Sequence, residues 1–369
     1  MKILQVINVR WYNATAWYAL YLSRLLHDAG HEVVVAVQPD TPPEERARKL
    51  GLATMRLDLN TTNPLRLYST LGDMLRLLKE FRPQVVNCHR GEGFVLWGLI
   101  KKLGMGYKLV RTRGDQRLPR SDSFNRWLHR KVADAVVVTN QKMARHFLST
   151  MKTPEGGVWL IHGGVDRETF AFDPEGRERV RAEFGFAQED FVVGLLGRFD
   201  EVKGQRELIH AVARLRSERG LGRLRLFLIG FETATRLRRV EEWIKEAGLG
   251  DAAAISHHRD DVAACISALD LGVVASLWSE AIARAALEIM SCGRPLISSN
   301  VNVMPDLVPE EGIYDVDDPD GLFALLGRAA TDDELRARLV QAHAATMSQL
   351  SGADFLNRTL NLYQSLLED

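Results

Sequence analysis

The residues of this chain best suited to chemistry are two glutamates, an arginine and a lysine. Glu280 and Glu288 enclose the run Ala281–Leu287, and Ser279 stands before them as a good helix N-cap. The alanines and Leu287 favour a helix, and Gly293 and Pro295 close it. The pattern predicts a helix opening at Glu280, with free amides at its mouth forming an anion site suited to a diphosphate. On that helix Glu288 lies about 12 Å along the axis, at ~1.5 Å per residue. Two acceptors at such a separation grip the two ends of a sugar–ribose ligand. A plainer reading lets Glu280 complement the helix dipole and leaves Glu288 as a solvated helix residue. Ala285, Ala286, Leu287, Ile289 and Met290 weigh against it, because an unpaired carboxylate is expensive among apolar neighbours.

A second constellation is Gly197-Arg198-Phe199-Asp200-Glu201-Val202-Lys203-Gly204, between an apolar strand and a helix that opens near Gln205. Arg198 offers a planar fork and Lys203 a point charge, a pair suited to neutralising a departing diphosphate. An ordinary charged surface loop reads the same way. Lys+Arg and Asp+Glu balance at 48 each, which argues against an obligate nucleic-acid binder. Cys88, Cys265 and Cys292 show no paired spacing, so neither a disulfide framework nor a thiolate metal site is expected, and a reducing cytoplasm fits.

These groups need elements to position them. Short β-rich runs alternate with helical patterns: Ile3–Ile7, Glu32–Val37, Val85–Cys88, Lys108–Thr112 and Ala135–Thr139, then Phe191–Gly197, Leu224–Gly230, Ala253–Ser256, Leu271–Ala275 and Pro295–Ser298. Repeated strand–helix–strand units imply an α/β protein with parallel sheets covered on both faces. The pattern pauses near Gly163-Gly164. Two Rossmann-like doubly wound domains are therefore expected, 1–163 and 164–350, with a last amphipathic helix in 351–369 packing back toward the first. Ligands bind such sheets beyond the strand C-termini, here expected to face an interdomain cleft. The apolar opening Ile3–Ile7 is too short for a signal peptide, and no run approaches a membrane span.

Taken together, these motifs resemble the retaining glycosyltransferases of family 4, which have the GT-B fold. Ile161–Asp166 resembles that family's interdomain Asn-Gly-Val-Asp, and Gly197-Arg198 with Lys203-Gly204 its phosphate-binding Gly-Arg…Lys-Gly. Ser256-His257-His258-Arg259-Asp260-Asp261 is similar to its Gly-x-Arg-x-Asp segment near the base. Ser276 through Pro295 resembles its paired-glutamate signature. The resemblance implies a nucleoside-diphosphate sugar as donor, retention at the anomeric carbon, and no cofactor or required metal. It places Gly197, Arg198 and Lys203 at the diphosphate, Gly230 and His258 toward the nucleoside, Glu280 on the sugar and Glu288 on the ribose. The amides of Ala281, Ile282 and Ala283 stand where the family has Gly-aromatic-Gly.

The chain departs from the family in its first domain. A Gly-Gly pair expected after the first strand is replaced by Trp11-Tyr12-Asn13-Ala14, leaving Asn13 as the substitute contact. His89, after the strand Val85–Cys88, resembles the family's histidine there and is a candidate catalytic group. A second histidine expected after Arg111-Thr112-Arg113 is Gly114, and Asp115 is the nearest polar group. Residues 107–131 carry Lys108, Arg111, Arg113, Arg117, Arg120, Arg126, Arg130 and Lys131, interleaved with Leu118, Phe124, Trp127 and Leu128. Such a stretch reads as a basic amphipathic helix for an anionic membrane surface or acceptor, or as a solvated charged face. The expected enzyme extends a cell-surface glycan or lipid-linked acceptor of lipopolysaccharide-core or exopolysaccharide type. A GT-B epimerase, or a nucleotide-sugar-binding protein without turnover, shares the same fold expectation.

Overall fold

Runs such as Ala135–Val138 are β-branched and buried on both faces, the signature of strands inside a covered parallel sheet. A computed structural model describes residues 1–368, which divide into two units. One holds Met1–Gly163 and the final helix Gly352–Glu368; the other holds Gly164–Ser351. The first contains strands β1 (Lys2–Ile7), β2 (Glu32–Val37), β3 (Ala53–Arg56), β4 (Val85–Cys88), β5 (Lys108–Arg113), β6 (Ala135–Val138) and β7 (Val158–Leu160). They form one parallel sheet in the order β3-β2-β1-β4-β5-β6-β7. The second contains β8 (Phe191–Leu196), β9 (Leu224–Ile229), β10 (Ala253–Ile255), β11 (Leu271–Val274), β12 (Leu296–Ser299) and β13 (Ile313–Tyr314), in the order β10-β9-β8-β11-β12-β13. Strand order reverses at β1/β4 in one sheet and at β8/β11 in the other. Loops leaving the strands on either side of such a reversal splay apart and open a crevice.

The strands that sequence periodicity passes over are β3, β7 and β13. All three lie at sheet edges, are two to four residues long and are mostly half-buried, so they carry little apolar signal. Among the described residues no helix is long and apolar enough to cross a membrane.

The final helix is held to the first sheet by a buried polar contact. Tyr363 is fully buried, and its hydroxyl accepts hydrogen bonds from Gln5 Nε2 on β1 (3.3 Å) and Asn87 Nδ2 on β4 (2.9 Å). Phe355 adds a tilted ring contact to Tyr18 at 4.6 Å. Tyr363→Phe leaves two buried amide donors without an acceptor and should destabilise the protein by about 1–3 kcal/mol, read by urea denaturation.

In the second unit His343 is 1% exposed, and neither ring nitrogen has a partner. Burial lowers its pKa to about 4. The unfolded chain, with a histidine near ~6.5, takes up the proton first, so stability falls as pH drops through that window. His343→Leu should lose about 2 kcal/mol less than wild type between about pH 7.5 and about pH 5, measured by denaturation at each pH.

Candidate functional site

The loops on either side of the β8/β11 reversal meet because two glycines remove what would block them. A Cβ on Gly230 would lie 2.0 Å from the Gly197 carbonyl oxygen, so the ends of β8 and β9 approach only with glycine there. Gly197 N–H donates to Ile229 O (2.9 Å), and Gly230 N–H to Ser256 Oγ (3.2 Å). Gly204 has a left-handed backbone (φ +69°), and a Cβ on it would lie 2.0 Å from Ala275 O. A backbone bond from Leu277 N–H to Val202 O (2.9 Å) then ties the two loops together.

That approach places Lys203 against Glu280. Lys203 Nζ donates to Glu280 Oε2 at 2.6 Å, and Ser276 Oγ donates to the same oxygen at 2.6 Å. Glu280 N–H donates to Asn302 Oδ1 (3.0 Å), while Ser299 Oγ donates to Ser276 O (2.6 Å). Glu280 is 6% exposed, so its charge is compensated by these groups rather than by bulk water. Arg198, more exposed, pairs with Asp200 at 2.7 Å. The site therefore combines a fixed carboxylate with two cations, a set able to hold a sugar hydroxyl and a diphosphate together.

The helix expected to open at Glu280 opens later. It runs Arg284–Ser291, preceded by Ala283 in the left-handed region (φ 53°), and Ser279 does not cap it. Residues 280–283 are irregular and non-helical, because hydrogen bonds between Glu280 and Lys203, Ser276 and Asn302 override the local helix preference. The two glutamates thus do not share one helix, and the 12 Å axial separation expected from ~1.5 Å per residue does not apply. Ile282 and Ala283 are buried in the core, so their side chains pack and only backbone is available to a ligand; Ala281 is half-buried. Glu288 is 3% exposed rather than solvated, and Arg284 Nε donates to it at 2.5 Å. Burial raises the Glu288 carboxyl above the usual range, and Arg284 opposes that shift. His258 is exposed and stands 5.4 Å, ring to ring, from the exposed Phe231 beyond β9.

On the first unit the structure gives three of the expected residues partners within the fold. His89 is 1% exposed, its Nε2 lies 2.8 Å from Gln5 Oε1, and burial lowers its pKa to about 3. It lies in the core, within the Gln5–Tyr363–Asn87 network. Asn13 caps the helix Ala14–Asp28, its Oδ1 accepting from Ala16 N–H (3.1 Å). Asp115 is ion-paired to Arg113 (2.7 Å) and to the buried Arg111 (3.5 Å), so its carboxylate is already engaged by two guanidiniums.

The stretch 107–131 is not one amphipathic helix. Its first third is strand β5, where Arg111 and Arg113 are buried, and helix begins only at Ser123–Trp127, continuing in a wider turn over Leu128–Val132. Arg117, Leu118, Arg120, Phe124, Trp127, Arg130 and Lys131 remain exposed.

Sequence reading misses Ser276, Asn302 and Arg284. Arg284 is legible as an i, i+4 partner of Glu288. Ser276 and Asn302 act through loop geometry that no spacing encodes. Gly204→Ala should destabilise the fold by about 2 kcal/mol or more, since it meets both a backbone oxygen and a positive φ; a thermal melt with urea titration reads this.

A family model described as "Glycosyltransferase Family 4" matches residues 15–169, and one described as "Glycosyl transferases group 1" matches 176–345. The D-inositol 3-phosphate glycosyltransferase of Mycobacterium marinum is 27% identical over 240 residues, covering 61% of this chain and 49% of that protein. The chain thus spans about half the length of the curated relatives it matches. A glycosyltransferase from Rickettsia africae superposes with TM-score 0.87 at 17% identity, covering 100% of this chain and 98% of the other. Anabaena Alr3699/HepE, solved with UDP and glucose, gives TM-score 0.83 at 17% identity, covering 99% and 100%. With its two halves matched by the two models in order, and with GT-B structural neighbours over its full length, the chain belongs to the group 1, family 4 glycosyltransferases.

Proposed function

We propose that this chain moves a sugar from a nucleoside-diphosphate sugar to a hydroxyl acceptor, with retention at the anomeric carbon. The observation that carries the reading is the Lys203–Glu280–Ser276 cluster at the β8/β11 reversal, with Arg198 beside it. Lys203 and Arg198 neutralise the diphosphate as the anomeric C–O bond breaks and the electron pair leaves with phosphate oxygen. Glu280 accepts from the sugar hydroxyls and Glu288 from the ribose hydroxyls, with Arg284 bonded to the buried Glu288 carboxyl. The base lies toward Gly230, Phe231 and His258. Charge neutralisation rests on side chains rather than on a metal ion. Catalysis is then positioning plus leaving-group electrostatics.

For the acceptor, the support is chemical. Arg111 and Arg113, near the C-terminal end of β5, share the single carboxylate of Asp115, which leaves that edge net positive. An acceptor bearing an anionic group suits that edge, and the Mycobacterium marinum relative is named for a phosphorylated inositol. A cell-surface glycan precursor or a lipid-linked acceptor satisfies the same requirement. The exposed Leu118, Phe124 and Trp127 among Arg117, Arg120, Arg130 and Lys131 suit an anionic lipid surface.

A thermal-shift panel of nucleoside-diphosphate sugars tests the donor reading, because a ligand of the folded state raises its melting temperature by mass action. At least one donor should raise it, and Lys203→Ala should abolish the shift. Transfer should fall by about a hundredfold or more in Lys203→Ala and in Glu280→Gln, measured on variants that still melt cooperatively, since removing either partner of this mostly buried pair lowers the melting temperature. Normal turnover in either variant sinks the roles assigned to Lys203 and Glu280.

A further inference from the structure

Each strong charge in the proposed donor site already has an opposite charge beside it. Arg198 pairs with Asp200 at 2.7 Å, Arg284 with Glu288 at 2.5 Å, and Lys203 with Glu280 at 2.6 Å. The last pair differs from the others in what it joins, a group meant for the diphosphate and a group meant for the sugar. Any diphosphate reaching Lys203 therefore brings its negative charge close to the carboxylate of Glu280, a residue 6% exposed whose side chain is bonded by Ser276 and whose backbone is bonded to Asn302. Burial leaves little solvent to screen that repulsion, and the Ser276 bond, on a Glu280 backbone anchored to Asn302, resists the carboxylate swinging away. Lys203 and Ser276 both donate to Oε2, leaving Oε1 to accept from a sugar hydroxyl.

The geometry points to Glu280 as the group that discriminates donor from product: it favours the diphosphate that carries a sugar and expels the one that has lost it. This inference rests on the donor-site reading above. While the sugar is attached, its hydroxyls donate to Glu280 and offset the repulsion between carboxylate and phosphate. After transfer those donors leave with the acceptor. Glu280 then competes with the free nucleoside diphosphate for Lys203, and the restored ion pair speeds product departure. The carboxylate thus acts at opposite signs on the two ligands, whereas a merely structural ion pair affects both alike.

The test is calorimetric titration of UDP and GDP, and of UDP-glucose and GDP-mannose, into wild type, Glu280→Gln, Glu280→Ala and Glu280→Asp, each checked for a cooperative melt. Removing the charge should tighten the bare diphosphate by about threefold to thirtyfold, the range of a partly buried charged contact. The sugar-bearing donor should bind those two variants no better than wild type, so the preference for donor over product collapses. Glu280→Asp keeps the charge and should keep weak diphosphate binding. If Glu280→Gln or Glu280→Ala, folded, binds the diphosphate no more tightly than wild type, the inference is overturned. If wild type binds none of the four ligands, the donor-site reading itself falls, and this inference with it. Two neutral variants are used so that the result does not hang on one of them folding.

Discussion

The contact on which the second unit's chemistry depends is the passage of Gly204 beneath the Ala275 carbonyl. Without a Cβ at that point the loop after β8 and the loop after β11 come within backbone hydrogen-bonding distance, and Leu277 N–H reaches Val202 O. Everything charged in the site follows from this approach. Lys203 lies one residue before the glycine, Ser276 one residue after Ala275, and Glu280 four residues beyond Ser276. A side chain at 204 would separate the two loops and with them the ammonium and the carboxylate. The ion pair is thus a consequence of backbone packing before it is a source of stability.

Because that pair is mostly buried, its value lies in placement more than in energy. Desolvating both charges offsets much of their attraction; the bond from Ser276 directs the carboxylate, and the bond to Asn302 fixes the backbone that carries it. The same economy of contacts recurs at Glu288, a carboxylate made tolerable in an apolar helix by one guanidinium four residues earlier. Both glutamates are therefore held in fixed positions, as the proposed positioning of hydroxyl donors requires.

The first unit uses its buried polar groups differently. Gln5, Asn87, Thr112, His89 and Tyr363 form one hydrogen-bonded set across β1, β4, β5 and the final helix. Their task is to seat that helix, since each polar group left unpaired in the interior would destabilise the sheet. His89 belongs to this set. A histidine at the end of a strand reads identically in sequence whether it faces solvent or a neighbouring glutamine, so only the fold separates the two.

Local pattern along the chain suffices for the class of fold, most central strands, the division near residue 164 and the two charged loops of the proposed donor site. Those features are local: apolar runs of strand length, glycine at positions where backbone must approach, and lysine or arginine at fixed offsets from them. What only the tertiary structure decided is how those residues meet. Helix propensity over Ala281–Leu287 predicts a helix four residues too early, because bonds to Lys203 and Asn302, from other loops, together with the one from Ser276 outweigh a preference of tenths of a kilocalorie per residue. The basic stretch 107–131 reads as one helix because charge and aromatic spacing is blind to burial, whereas β5 takes its first part into the sheet. Local propensity is a sum of small energies along the chain. Loop contact, burial and ion pairing are set by residues far apart in it, and at this site they prevail.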